Sequence, residues 1–248
     1  MYGYEQKDLM VSDLPNTTEN LFVQLACNRL GLAYCTTKNL EQMAKLPKVK
    51  GAICADDTAA TGNFLSQTNL PLPYLTGDFL QELIHDGGLD AYSMETEDSG
   101  NETTPHAFYN STDPFTNPQA LKLGEDSSFQ LAMYEQDVVC VSVTLSHAFG
   151  FGSAVSSALM MGAAICLPAV GGIRGCGVPS ERAAATLEVL KSEKCTLLFA
   201  DTHTLEALPE PPLDLVLRGG VCKIASGSDF LEQTRTYGGV KLMTMGKK

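Results

Sequence analysis

Tryptophan is absent from the 248 residues, and so is any run of 18 consecutive apolar residues, the length a membrane-spanning helix needs. The opening stretch, MYGYEQKDLMVSDLPN, lacks both the basic-then-apolar pattern of a signal peptide and the arginines of a transit peptide. Any import address is therefore expected to be cleaved, internal or absent. Lysine and arginine are missing altogether between Lys50 and Lys122, where Asp78, Glu82, Asp86, Asp90, Glu95, Glu97, Asp98 and Glu102 gather. Over the whole chain 17 basic residues face 29 acidic ones, a net charge of −12. Such a balance argues against nucleic acid, whose phosphates need clustered Lys and Arg, and against a basic patch for anionic lipid. With 22 Gly and 12 Pro the chain is neither collagenous nor of low complexity. What is present, 44% hydrophobic residues over this length, suffices for a real core in one or two domains.

The cysteines at 27, 35, 54, 140, 166, 176, 195 and 222 contain no C-x-x-C pair. Most lie in apolar runs such as VVCVSV, AAICLP and KCTLLF, where a free thiol behaves as a small hydrophobe. Buried thiols in a reducing compartment are expected, rather than a disulfide or zinc framework. Sequons at Asn16, Asn101 and Asn110 are read as chance occurrences. The turn-rich polar stretch within about 86–107 reads as an acidic surface loop: solvated in the plain account, a contact for a basic partner in the sharper one.

Elsewhere strand and helix signals alternate. Thr18 to Leu30 has apolar residues at helical spacing, with Gly31 as a stop. Val49 to Asp56, Val138 to Leu145, Ala163 to Leu167, Thr196 to Ala200, Val216 to Leu217 and Cys222 to Ala225 read as strands. Ser153 to Met161 reads as a small-residue helix. Pro179 opens another reaching about Lys194, with its acid early and its lysines late. This alternation predicts an α/β fold with mostly parallel sheets flanked by helices. One domain is expected over 1–248, with sublobes at 1–107 and 108–248.

The glycine pairs Gly150-Phe151-Gly152, Gly171-Gly172 and Gly219-Gly220 invite a nucleotide-loop reading, but none completes G-x-G-x-x-G after a strand, and turns are the plainer account. His147 follows the Val138 strand, and the carboxyl ends of parallel strands are where ligands bind. A structural hydrogen-bonding role is the bland reading of a lone histidine there. Ser146 is not in a G-x-S-x-G elbow, and no spacing selects a triad from Ser146, His147 and Asp201. His85 and His106 show no metal-ligand spacing.

Several ordered segments resemble the adenylate-forming superfamily of acyl-CoA synthetases, especially its medium-chain mitochondrial type. Gly3-Tyr4 to Asp8, Leu14-Pro15-Asn16 and Cys27 to Gly31 resemble the family's opening. Asp137 to Gly150, ending T-L-S-H-A-F-G, resembles its "D…P-L-F-H-x-x-G" segment, followed by Gly162-Ala163. Ser180 to Lys194 with Thr196 to His203, Leu217 to Asp229, and Gly239 to Leu242 resemble successive later elements. The resemblance implies a partial N-terminal domain of that fold, covering nearly the whole chain. It also implies an acyl-pocket remnant at His147, Phe149, Gly150, Gly227 and Ser228.

The chemistry-bearing motifs depart from the family. Its phosphate loop, "S-G-T-T-G-x-P-K-G", corresponds here to Tyr109 to Ala120, in which both glycines are gone. Around Ser111 and Thr112, Asp113 adds a negative charge, Pro114 lacks an N–H, and Gln119 stands where the phosphate-binding lysine belongs. A like charge facing a polyphosphate costs several kcal/mol, and the lost charge-assisted bond about 1.5–3 kcal/mol more. At the other end, Thr244-Met245-Gly246-Lys247-Lys248 replaces "G-Y-G-x-T-E", putting a lysine where the magnesium-holding acid belongs. The ribose-binding Asp, the hinge and the C-terminal domain with its catalytic Lys have no counterpart in these residues.

The expectation is a catalytically inactive, truncated acyl-CoA synthetase-like protein serving as an accessory subunit beside other protein subunits. Neither cofactor nor metal is expected, and nor is an integral membrane location. By resemblance the compartment is the mitochondrion, with the cytoplasm as the alternative. Two other functions stand beside it: a non-catalytic binding module for an acyl or acyl-CoA-type ligand, and a split ligase completed by another chain.

Overall fold

The computed structural model describes residues 5, 8–36, 49–55, 75–76, 120–168 and 177–247. The chain divides into two compact units, 1–117 and 118–248. The acidic stretch at 86–107 lies outside the described residues.

The first unit holds a parallel sheet of β1 (Leu9–Ser12), β2 (Ala33–Thr36), β3 (Val49–Cys54) and β4 (Leu75–Thr76) in the order β2-β1-β3-β4. Helix α1 (Thr18–Arg29) joins β1 to β2 and ends where the sequence predicts. Gly31 takes the left-handed conformation (φ 73°), and the Leu32 N–H donates back to the Cys27 carbonyl at 2.8 Å, a glycine-terminated helix end. Asn20 fastens the unit. Its Nδ2 donates to the Leu14 and Pro15 carbonyls at 3.1 and 2.8 Å, while its Oδ1 accepts from Tyr34 Oη at 3.0 Å and Gln24 Nε2 at 2.9 Å. All four bonds are needed, because a buried amide left unpaired is costly.

The second unit is built on a six-stranded sheet of β5 (Val138–Ser142), β6 (Ala164–Cys166), β7 (Leu197–Asp201), β8 (Gly219–Lys223), β9 (Asp229–Tyr237) and β10 (Val240–Gly246). Their order is β6-β5-β7-β8-β10-β9, every neighbouring pair being parallel except β9, which runs antiparallel to β10. Helices α2 (Ala120–Gln130), α3 (Ser156–Met161), α4 (Pro179–Ser192) and α5 (Thr202–Ala207) accompany it, with a π-helix over Ala148–Val155. Leu197, Leu198, Phe199 and Ala200 are fully buried in succession, the signature of a strand covered on both faces. The mixed α/β architecture with mostly parallel sheets is thus as the sequence predicts. Cys27, Cys35, Cys140, Cys195 and Cys222 are buried thiols within these cores, and Cys166 is half-buried.

Several local expectations are corrected. Gly219-Gly220 is no turn: it opens β8, and a Cβ on Gly220 would lie 2.0 Å from the Leu198 carbonyl oxygen on the adjacent strand. Val216 and Leu217 precede that strand instead of forming one. β5 stops at Ser142, because Thr144 folds the following segment into a turn through its hydroxyl. Helical structure expected from Ser153 begins earlier, at Ala148, and its first two turns are π-helical. β9 escaped the sequence reading since it is an edge strand with little apolar alternation, DFLEQTRTY. Its hairpin partner follows through Gly238 (φ 59°) and Gly239 (φ 77°), the left-handed pair a two-residue turn demands.

Candidate functional site

The carboxyl ends of β5, β7, β8 and β10 form one edge of the second sheet, and the residues that follow them gather there. Between β5 and the π-helix, Thr144 organises the turn: its Oγ1 shares a hydrogen bond with Ser146 Oγ at 2.7 Å and accepts from the Ser146 N–H at 3.2 Å. His147 then caps the π-helix in extended conformation (φ −116°, ψ 145°), its Nδ1 accepting from the Phe149 N–H at 3.2 Å. That bond fixes the neutral ring with its proton on Nε2, so His147 presents a donor. Partial burial of the ring and the positive charge of Lys223 both hold its pKa below the ordinary 6.5.

Gly150 is required by contact. A Cβ there would come 2.1 Å from the Thr144 carbonyl oxygen. The π-helix therefore runs directly against the turn, and widened helices of this kind recur at functional sites. Phe149 and Phe151 point into the core, each 2% exposed, and the Phe149 ring lies 5.8 Å from that of Phe199. Met245 of β10 is fully buried and accepts from Ser153 Oγ at 3.5 Å.

From the β8 side comes Lys223. Its ammonium donates to the Gly227 carbonyl and sits 5.8 Å from the centre of the Phe149 ring. Burial lowers its pKa to about 8, against the partial restoring attraction of Asp229. Gly227 (φ 95°) turns the 224–228 segment back on β10, so closely that a Cβ would meet the Gly246 carbonyl oxygen at 2.7 Å. Ser228 follows it, exposed.

The five predicted pocket residues, His147, Phe149, Gly150, Gly227 and Ser228, accordingly share one edge. Phe149 is packed inward, not lining an opening. Ser111, Thr112, Asp113, Pro114 and Gln119 lie outside the described residues. Asp201, at the end of β7, is committed elsewhere: it caps α5 through the Thr204 N–H at 2.7 Å and pairs with Arg182 at 2.7 Å. With Ser146 bonded to Thr144 and His147 to the Phe149 N–H, these residues form no triad. Lys223 was missed, although it is the one charged residue in the GGVCK strand and ends it where ligands of parallel sheets bind. Among the described residues no three His, Cys, Asp or Glu side chains converge as a metal site.

Removing the imidazole cap, as in His147→Ala, leaves the Phe149 N–H without its partner. The expected loss is about 1 kcal/mol, the usual cost of a lost helix cap. His147→Asn should restore most of it, as read from urea unfolding midpoints.

Taken together, the two sheets have the fold of the N-terminal domain of adenylate-forming acyl-CoA ligases. A benzoate CoA ligase from Burkholderia xenovorans LB400 superposes with a TM-score of 0.66 at 14% identity, over 99% of this chain and 52% of the ligase. The N-terminal domain of FACL13 from Mycobacterium tuberculosis gives 0.69 at 12% identity, over 100% of this chain and 64% of that one. O-succinylbenzoate Coenzyme A synthetase from Bacillus subtilis, solved with ATP and magnesium ion, gives 0.59 at 14%, over 89% of this chain and 57% of the synthetase. The chain thus spans roughly half to two thirds of the length of these structures. No family model and no curated protein matches it.

Proposed function

We propose that this chain is a catalytically inactive acyl-CoA synthetase-like protein that acts as a structural, accessory subunit of a larger protein complex, by resemblance mitochondrial. The observation that carries the proposal is the packed core immediately behind the sheet edge, where an acyl chain would have to enter. Phe149 and Phe151 are turned into the core, Met245 closes the space beside Ser153, and the Lys223 amine rests on Phe149 and the Gly227 carbonyl. Phe149 and Gly150, two of the five candidate pocket residues, thereby belong to protein core, while His147, Gly227 and Ser228 stay exposed at the rim. Supporting it by resemblance, Gln119 and Asp113 replace what a phosphate loop needs.

One observation favours a second reading, a non-catalytic module for an acyl or acyl-CoA-type ligand: accessible His147 and half-buried Lys223 sit together at the edge where such sheets bind ligands. Native purification followed by mass spectrometry tests the first. A stoichiometric complex is expected, together with no ATP-dependent adenylate from the isolated chain. A lone chain that titrates with acyl-CoA would replace the subunit reading with the binding module. Adenylate formed with another chain present would make it a split ligase.

A further inference from the structure

We propose that Lys223 is an acyl acceptor, whose side-chain amine, held among Phe149, Gly227 and His147 at the carboxyl edge of the sheet, reacts with acyl thioesters to form an amide. The inference is independent of whether the chain is a subunit or a binding module. It requires only that thioesters reach the edge.

Placement comes first. Lys223 is the last residue of β8, in register with Asp201 on β7 and Met245 on β10, so the sheet holds its backbone from both sides. The side chain is half-buried, and its amine is fixed at two points, the Gly227 carbonyl and the face of Phe149. An acceptor carbonyl on one flank leaves the nitrogen lone pair, once deprotonated, free for an electrophile on the other. Beside it His147, its Nδ1 occupied by the Phe149 N–H, has only an Nε2 donor to offer, the group that stabilises negative charge on a carbonyl oxygen.

Electrostatics then decide which nucleophile the fold activates. Burial disfavours whichever form is charged. For the thiols this suppresses the reactive thiolate: burial pushes Cys27 and Cys35 up to about 12 and raises Cys222, while Cys166 and Cys195 are raised first by hydrogen bonds to neighbouring thiols and then by burial. For an amine the same burial releases the reactive neutral form. The titratable groups around Lys223 are the neutral His147, Asp229 at the start of β9, and its register partner Asp201 on β7, which Arg182 already engages. Asp229, the Gly227 carbonyl and the Phe149 ring face all favour the ammonium, and burial outweighs them, leaving a pKa of about 8. At pH 7.5 about a quarter of such amines are neutral, against about one in a thousand for an ordinary lysine. A weaker base is also a weaker nucleophile, which reduces the advantage to roughly tenfold.

The step balances without an added oxidant or cofactor. The amine lone pair forms a C–N bond at the thioester carbonyl and the C–S bond breaks. The thiolate leaves with the electron pair and takes up the proton lost by nitrogen, directly or through water.

Acetyl-CoA is incubated with the full chain from pH 6.5 to 10, and each lysine's acetylation rate is measured by peptide mass spectrometry. Exposed Lys122, Lys191, Lys194 and Lys241 serve as internal references. Lys223 should react roughly tenfold faster than each at pH 7.5, and its rate should level off above about pH 8 while theirs keep climbing. Asp229→Asn removes the attraction and should shift that plateau to lower pH, and His147→Ala should slow Lys223 without moving the plateau. Uniform labelling of all the lysines, or a Lys223 rate still rising beyond pH 9, overturns the proposal on the unmutated chain alone.

Discussion

Gly150→Ala is expected to destabilise the second unit by about 3 kcal/mol, because the added methyl collides with backbone on the opposite side. Its Cβ would lie 2.1 Å from the Thr144 oxygen, 2.9 Å from the Thr144 carbonyl carbon and 3.3 Å from Val143 Cγ2. No rotamer change relieves a clash with a peptide group, so the turn or the π-helix must shift. The turn is tied by Thr144 to Ser146, and the helix by Phe149 and Phe151 to the core. Gly219→Ala provides the comparison: its Cβ meets only Leu197 Cδ2, at 3.6 Å, ordinary contact for which a change within about 0.5 kcal/mol is expected. Urea unfolding distinguishes them. Equal midpoints for the two variants would mean that the π-helix does not run against the turn as described.

The same contrast explains what could be read from the residues alone. Long, doubly covered strands are legible because burial on both faces leaves unbroken apolar runs, as in LLFA of β7 and VVCVS of β5. Helix α4 was legible from Pro179 and Glu181 at its start and Lys191 near its end. Glycines misled because their role depends on what lies opposite. The pair at 219–220 looks like a turn in isolation, yet the smallness of Gly220 serves a close approach to Leu198, 22 residues away in sequence (220 − 198) but adjacent in the sheet. The pair at 238–239 is a true turn, and the edge strand before it, β9, is polar because one side meets solvent.

For the candidate site, His147 was legible from topology, since it follows a strand end, while Gly150 and Gly227 were marked only by ordered resemblance to a known family. Lys223 had no such mark. A lysine at a strand end is ordinarily a solubilising group, and its distinction here comes from neighbours 76 and 4 residues away, His147 and Gly227, assembled only by the fold (223 − 147 and 227 − 223). An altered amine is a property of surroundings, which no local motif encodes. This also bears on the inactive reading. Even with phosphate chemistry absent, as proposed, the sheet edge still brings charged side chains together.

Asp137→Ala is expected to cost about 2–3 kcal/mol, below the scale of a fully buried pair because the Arg218 left behind is 31% exposed. Asp137 precedes β5, and its carboxylate side chain has no solvent exposure. It accepts from Arg218 Nε at 2.8 Å and also from Arg218 Nη2, from Thr196 Oγ1 at 2.6 Å and from the Tyr134 N–H at 3.0 Å. Thr196 and Arg218 precede β7 and β8, so one carboxylate ties together the amino ends of three adjacent parallel strands, opposite the edge that carries His147 and Lys223. Burial by itself would raise the Asp137 pKa, but the Arg218, Thr196 and Tyr134 donors outweigh it and hold the carboxyl below its usual range. The sign follows: a carboxyl whose folded pKa is depressed adds stability above its unfolded value of about 3.9, and that stability is lost as pH falls through the folded value. Unmutated chain should therefore lose stability below about pH 4 more steeply than Asp137→Asn, and the gap between them should narrow with acidification. Arg218→Met combined with Asp137→Ala should cost less than the sum of the two single changes, since the second substitution removes the charge that the first leaves stranded. Additive losses, or a gap that stays constant from pH 7 to pH 3, would show that the three strands are held at that end by packing instead of by the carboxylate.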